Sequence, residues 1–162
     1  RLTPLSLSLA ELMNNIFDHS FSSIPGYTFT QYNSKKKSII TCVCDFGIGI
    51  PTKVNKYYRS IGKDTISNKD ALIKSFEFKF STRSTPNNQG RGLDTIVTNV
   101  KTLNSKALVI SNNVIYRIYP DGTEEVSEIT VNFPGTLFVI WLNTDSLDVK
   151  EEEILDESCL ID

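Results

Sequence analysis

The sequence predicts an α/β (α+β) two-layer sandwich, in which helices cover one face of a mixed, largely antiparallel sheet. Two observations support this fold class. Apolar residues recur at helical spacing in two separate segments, residues 5–20 and 92–103. After Leu103 the pattern changes to short apolar and β-branched segments separated by turn residues. Helices and strands in this order pack most simply as one helical layer on one sheet.

The first predicted helix, residues 5–20, has two contrasting faces. Its apolar face is formed by Leu9, Leu12, Met13, Ile16 and Phe17. The opposite face carries Glu11, Asn15 and Asp18, flanked by Asn14 and His19. Asn, Asp and His are mediocre helix formers, so this face is composed against propensity. Violations of this kind tend to occur at functional sites, and carboxylate and amide oxygens suit Mg²⁺.

The start of this helix has two possible positions. Ser8 and Glu11 form a capping-box pattern, which would engage Glu11 with the backbone N–H of Ser8. Thr3 followed by Pro4 offers an earlier start and lets Leu5 join the apolar face. The sequence therefore leaves open whether Glu11 is a catalytic base or a helix cap.

Two strands are predicted next, at residues 27–32 and 38–45. The second is β-branched and apolar, which favours a buried strand, and Cys42 and Cys44 share one of its faces as small hydrophobic residues. With only three cysteines and no pairing framework, we expect a reducing compartment and hence a cytoplasmic protein. In residues 46–51, Gly and Pro predict neither strand nor helix.

The segment from residue 52 to 89 is mixed and polar, and its length is typical of a functional lid. We expect short helices within it, one of them capped by Ser67 with Asp70 in its first turn. A second amphipathic helix then begins at Gly92.

Four strands are predicted in the last third of the chain, at residues 107–110, 114–119, 126–133 and 137–142. Asn112-Asn113 and Asp121-Gly122 are interpreted as hairpin turns between them. The expected domain covers residues 1–144, and residues 145–162 form an acidic tail or linker.

The composition bounds the class of partner. A net charge of −2 argues against a field that attracts nucleic acid. No apolar run approaches the roughly 20 residues of a membrane-spanning helix, so no membrane segment is expected. Because the chain begins abruptly at Arg1, we expect further domains of a longer chain or a separate protein partner.

Three glycine-containing loops have separate chemical interpretations. In Asp45-Phe46-Gly47-Ile48-Gly49, a carboxylate at a strand end can accept a hydrogen bond from an exocyclic amine, and the glycines allow close approach to a flat ring. Gly90-Arg91-Gly92-Leu93 precedes a helix, whose first amides can bind phosphate. Pro134-Gly135-Thr136, taken alone, is a simple hairpin turn.

Taken in order, the first helix and the three loops resemble the successive motifs of the GHKL ATPases, the superfamily of DNA gyrase and the histidine kinases. The resemblance implies that Asn15 binds Mg²⁺ and that Glu11 is the general base. It also implies that Asp45 receives the adenine amino group, with Thr136 supporting it through water. Gly47 and Gly49 would shape the adenine pocket.

At the phosphate end, the resemblance implies that Gly90, Arg91, Gly92 and Leu93 wrap the phosphates of ATP. Asp18 and His19 complete the polar face of the first helix at the nucleotide, although His19 could equally cap that helix. Residues 80–83 resemble a stretch of histidine-kinase lids, so Arg83 reaches the γ-phosphate or remains a solvated charge.

The sequence departs from the family pattern at Asp94, where the family often has Gly. The resemblance implies γ-phosphoryl transfer, as an ATPase or a protein kinase-like transferase, nearest the histidine-kinase and anti-sigma branch. His19 is the only histidine and lies within the nucleotide motif, so the phosphate acceptor would be another domain or a partner. The alternatives are an ATP-binding switch with little turnover and an interaction domain without nucleotide.

Overall fold

The structure is a computed structural model that describes residues 24–77 and 92–146. Two antiparallel strands come first, β1 (Tyr27–Asn33) and β2 (Ser38–Asp45), followed by helices α1 (Ile50–Ser60) and α2 (Asn68–Ser75). Helix α3 (Gly92–Thr102), strand β3 (Lys106–Ile118) and strand β4 (Glu124–Asn143) complete the described fold, before a short 3-10 turn at Thr144–Ser146. The first predicted helix, residues 5–20, lies outside the described residues.

The strands form one sheet in the order β1-β2-β4-β3, and each described pairing is antiparallel. Helices pack on one face, so the predicted two-layer fold class is confirmed. Alternate residues of β2, β4 and β3 point to the helical layer, because side chains along a strand alternate between faces. Val43, Phe138 and Val109 lie on this covered face as neighbours across the three strands.

The hydrophobic core lies between this sheet face and the helices. From the helical side, Leu72 of α2 and Ile96 and Val100 of α3 are buried in it. The α3 positions have helical spacing, as the sequence predicts. The part of the predicted lid up to Glu77 supplies α1 and α2 to this layer, whereas residues 78–89 lie outside the described residues, so the lid stays a prediction.

The predicted hairpin turn at Asn112-Asn113 is wrong. Strand β3 continues through both residues, and the register with β4 shifts between Ser111 and Val114. Asn112 adopts a positive φ of 52°, a backbone state that Asn tolerates better than most residues. The turn-forming residues Asn112 and Asn113 therefore mark a β-bulge within a longer strand.

Strand β4 also continues where a turn was the simple interpretation, at Pro134-Gly135. Thr136 pairs with Ser111 and Phe133 pairs with Asn112, so Pro134 and Gly135 have no paired residue in β3. Proline lacks the N–H that a ladder needs, and this irregular position does not require one.

The expectation that residues 46–51 exclude a helix is wrong as well. Helix α1 begins at Ile50 with Pro51 in its first turn, where the missing N–H of proline costs no helical hydrogen bond. Two local predictions are confirmed. Ser67 caps α2 by accepting a 3.0 Å hydrogen bond from the N–H of Asp70. Gly122, with φ of 82°, lies in the turn that joins β3 to β4.

None of the helices in residues 24–77 and 92–146 has the length and apolar character needed to cross a membrane.

Candidate functional site

A row of three polar residues crosses the covered face of the sheet where β2 ends. Asp45 is paired with Thr136 of β4, and Thr136 is paired with Ser111 of β3. All three are buried, with exposed fractions of 6%, 4% and 0%. Since buried polar groups are costly without partners, their hydrogen bonds decide what this row can do.

The Asp45 carboxylate is held by the turn that follows it. Its Oδ1 accepts a 2.7 Å hydrogen bond from the backbone N–H of Gly47. Burial raises the pKa of Asp45, while hydrogen bonds from the backbone N–H groups of Gly47 and Thr136 and the positive charge of Lys53 act in the opposite direction. An ionised carboxylate only accepts hydrogen bonds and has about four acceptor positions. Asp45 can therefore receive further donors from a ligand.

Gly135 lies against Asp45 at a distance that only glycine permits. A Cβ atom at this position would lie 2.2 Å from the backbone oxygen of Asp45 and 2.7 Å from its Oδ1. The φ of Gly135 is +97°, which side-chain-bearing residues rarely adopt. The close approach brings β4 to Asp45 and explains why glycine precedes Thr136.

Ser111 is the residue of this row that sequence reasoning missed. Its Oγ accepts a 2.8 Å hydrogen bond from the N–H of Ile50 and lies 3.0 Å from the Gly135 carbonyl oxygen and 2.9 Å from Thr136 Oγ1. A signal was present, because strand alternation places Ser111 on the same face as the buried Val109. Interpreting the next two residues as a turn hid it.

Gly49 packs closely against strand β3, and its implied role in an adenine pocket stays a prediction. It precedes α1 with φ of +76°, and a Cβ atom there would meet the Asn112 side chain at 2.5 Å. The Asn112 side chain in turn donates to the Ile48 carbonyl and accepts from the Thr52 hydroxyl, both at 3.2 Å. The close packing of β3 against the start of α1 therefore explains why glycine occupies position 49.

The N-terminal end of α3 carries the described part of the third glycine loop. Helix α3 begins at Gly92, and Leu93 packs against the hydrophobic core. Asp94 lies in the first turn, and its Oδ1 is buried with no hydrogen-bond partner among residues 24–77 and 92–146. A carboxylate so placed contributes negative charge at the end of a helix that favours anions.

The remaining predicted site residues lie outside the described residues: Glu11, Asn15, Asp18, His19, Arg83, Gly90 and Arg91. Their roles stay predictions. In the described part of the chain, no group of three or more His, Cys, Asp or Glu could hold a metal ion. Mg²⁺ at Asn15 also stays a prediction, because Asn15 lies outside the described residues. The structure therefore brings together Asp45, Gly47 and Thr136, the residues that the resemblance places at the base of a nucleotide (the base end).

No protein-family model matches the chain, and the comparison with curated proteins finds no match. Several solved structures are similar to the chain. The ATPase region of Saccharomyces cerevisiae topoisomerase II is 10% identical with a TM-score of 0.45, covering 86% of this chain and 38% of that one. The same region bound to dexrazoxane is 11% identical with a TM-score of 0.46, covering 90% and 38%.

The ATPase and transducer domains of Balamuthia mandrillaris DNA topoisomerase II are 10% identical with a TM-score of 0.45, covering 87% of this chain and 37% of that one. The chain thus spans less than two fifths of the length of each of these structures. Likenesses at these identities and TM-scores assign neither an activity nor a site residue to this chain.

Proposed function

We propose that this chain binds ATP with Mg²⁺ and transfers the γ-phosphoryl group, to water or to a protein. The observation that carries the proposal is the buried Asp45 carboxylate at the end of β2, beside Thr136 and against Gly135. It supports the base-binding role that the motif order implies for this position.

The chemistry of Asp45 fits an exocyclic amine. Two of its acceptor positions are engaged by the backbone N–H groups of Gly47 and Thr136. Burial opposes its ionisation, so a donor from a ligand would recover part of the desolvation cost. A buried, perturbed carboxylate with spare acceptor capacity is typical of a functional site.

The proposed roles of the residues at the phosphates follow from the family resemblance. Gly90, Arg91 and the first amides of α3 would hold the phosphates, with Arg83 near the γ-phosphate. Asn15 would bind Mg²⁺, which supplies charge neutralisation to the phosphates when bound. Glu11 would orient or deprotonate the attacking nucleophile. The acceptor would be water, a partner or another domain of a longer chain, in the cytoplasm.

One observation favours a second candidate, an ATP-binding switch with little turnover. Asp94 places a carboxylate with a buried, unpartnered oxygen in the first turn of α3, judged over the described residues. Its charge opposes a nearby phosphate, since like charges in a partly buried site repel strongly. Weak stabilisation of the developing charge would slow transfer more than it weakens base recognition.

The test is titration of the full 162-residue chain with Mg-ATP, followed by calorimetry and thermal unfolding. Binding to the folded state must raise the melting temperature. Asp45→Asn should weaken binding by about tenfold or more, because hydrogen bonds to a charged acceptor are stronger than neutral ones. No rise in melting temperature for the wild-type chain at saturating Mg-ATP would overturn the proposal.

Asp121→Asn is the matched control. Asp121 accepts a hydrogen bond from the N–H of Thr123 two residues later at 2.9 Å, as Asp45 does from Gly47, but it lies in the exposed β3–β4 turn. This variant should bind Mg-ATP as the wild type does. Equal losses in the two variants would show that the effect is one of local turn structure.

The variant Glu11→Ala distinguishes γ-phosphoryl transfer from an ATP-binding switch with little turnover. If Glu11 is the base, phosphate release should be lost while Mg-ATP still raises the melting temperature. If the wild type releases no phosphate and labels no protein, the switch is supported instead.

A further inference from the structure

We propose that Ser111 is a specificity-determining positioning residue, which fixes the direction of the Thr136 hydroxyl proton so that the base end offers only hydrogen-bond acceptors. The inference rests on the proposed nucleotide site and deepens it. Its consequence is a preference for a base that presents an amino group over one that presents an oxo group at the same place.

The contacts of Ser111 determine which group donates the proton in each of its hydrogen bonds. A serine hydroxyl has one proton to donate and two lone pairs to accept with. The Ile50 N–H occupies one lone pair, at 2.8 Å. The Gly135 carbonyl, at 3.0 Å, can only accept, so Ser111 donates its proton there.

The third contact of Ser111 then has a single polarity. Thr136 Oγ1 lies 2.9 Å from Ser111 Oγ, and geometry alone allows either atom to be the donor. Because the Ser111 proton is used on Gly135, the Thr136 hydroxyl donates to the remaining lone pair of Ser111. In the reverse order, two oxygens would face each other at 3.0 Å without a proton between them.

Burial keeps this order in place. Ser111 is fully buried and Thr136 is nearly so, so exchange with bulk water does not compensate a broken contact. Thr136 is left with lone pairs only, and the neighbouring Asp45 carboxylate also accepts only when ionised. The row therefore presents two acceptors side by side, which match the two protons of an exocyclic amino group.

An oxo group at the same place would face two acceptors and no donor. A site whose polar groups are left without partners, or set against like polarity, discriminates strongly between ligands. Asp45 contributes to the rejection of an oxo group without help from Ser111. Thr136 contributes only when its hydroxyl donates to Ser111 and so presents lone pairs to the ligand.

The experiment measures the affinities of the full chain for Mg-ATP and for magnesium inosine triphosphate, which has an oxo group in place of the 6-amino group. The wild type should favour ATP. Ser111→Ala frees the Thr136 hydroxyl to donate, so the ATP-to-inosine triphosphate affinity ratio should fall by about fivefold, the size of one net hydrogen bond. A lowered affinity for both ligands with an unchanged ratio would overturn the proposal.

Ser105→Ala is the matched control, since Ser105 is also buried, accepts from the N–H of Asn143 at 3.0 Å and donates to the Leu103 carbonyl at 3.1 Å. It lies immediately before β3, six residues before Ser111. It should lower stability in a similar way and leave the ratio unchanged. A ratio shift in Ser105→Ala would show that lost stability alone changes base preference, and would overturn the role of Ser111.

Thr136→Val is a second test of the inference, and it gives a result even if the Ser111→Ala variant does not fold. Removing the hydroxyl should itself lower the ratio, and adding Ser111→Ala to it should lower the ratio no further, because Ser111 acts through Thr136. A further fall in the double variant, or an unchanged ratio in Thr136→Val, contradicts the inference. Absence of binding of either nucleotide by the wild type refutes the proposed function itself, which is a distinct outcome.

Discussion

Two neighbouring rows on the same sheet face are both buried and have opposite chemistry. The apolar row is Val43, Phe138 and Val109, exposed by 2%, 2% and 1%. The polar row is Asp45, Thr136 and Ser111, each two residues from its neighbour in the apolar row, exposed by 6%, 4% and 0%. Burial therefore does not distinguish the core of this molecule from its candidate site.

What distinguishes them is how burial is compensated. The apolar row gains free energy by leaving water, at about 25 cal/mol per Å² of apolar surface. The polar row loses hydration and recovers it through a set of hydrogen bonds that includes the backbone of Gly47, Ile50 and Gly135. Compensation by the backbone leaves Asp45 and Thr136 with acceptor capacity for a ligand.

The largest effect should come from the apolar row. Phe138→Ala removes a buried ring that packs against Phe76, with 6.4 Å between the ring centroids. We expect the free energy of unfolding to fall by about 3–5 kcal/mol, the usual cost of emptying a buried aromatic position. Urea unfolding measures it, and a loss below about 1 kcal/mol would show that this row is not part of the core.

The second-largest loss of stability should come from the close contact between β4 and Asp45. Gly135→Ala adds a Cβ atom 2.2 Å from the Asp45 backbone oxygen at a φ of +97°. We expect a loss of more than about 2 kcal/mol in unfolding free energy, since backbone strain alone costs roughly 1–3 kcal/mol. Gly122→Ala is the control, because its φ is +82° and a Cβ atom there meets nothing within 4 Å. A control as destabilised as Gly135→Ala would assign the whole effect to φ.

The sequence was sufficient for the strand that carries Val43 and Asp45. The β-branched and apolar composition of residues 38–45 predicts the bounds of β2, and the position of Asp45 at the strand end marks it as a candidate. These signals are local, so a single strand contains them. The fold class follows from the same periodicities.

Ser111 could not be assigned in the same way, because its role depends on contacts 61 residues away at Ile50 and 25 residues away at Thr136. The bulge at Asn112 added to the difficulty, since its turn-like residues concealed a continuous strand. A long β4 that passes through Pro134-Gly135 is likewise decided by tertiary pairing and the close approach to Asp45, which no local propensity encodes.

A smaller effect should appear as a pH dependence that only the polar row has. Burial raises the pKa of Asp45 above its ordinary value of 3.8. The folded chain then binds this proton more tightly than the unfolded chain. The contribution of Asp45 to unfolding free energy therefore falls as pH rises from 3.8 through the raised pKa and is constant above it.

Asp45→Asn should lack this component, so the difference in unfolding free energy between wild type and variant should change with pH in that window alone. Urea unfolding at a series of pH values measures it, and Asp121→Asn is again the control. Hydrogen bonds donated by the N–H and hydroxyl of Thr123 lower the pKa of Asp121, so that variant should give a difference of opposite slope. A flat difference for Asp45→Asn would mean that its hydrogen bonds cancel the cost of burial.

The smallest effect should come from a buried hydroxyl outside the polar row. Thr41 lies on the same face of β2, two residues before Val43, and is buried. Its hydroxyl accepts a long hydrogen bond of 3.3 Å from Thr30 on the edge strand. Thr41→Val keeps the shape of the side chain and exchanges that weak contact for apolar burial, so the unfolding free energy should change by less than about 1 kcal/mol. Thr136→Val should cost more, because it removes a partner of the fully buried Ser111. Equal costs in the two threonine variants would show that the polar row is ordinary strand structure, without the hydrogen-bond order proposed for it.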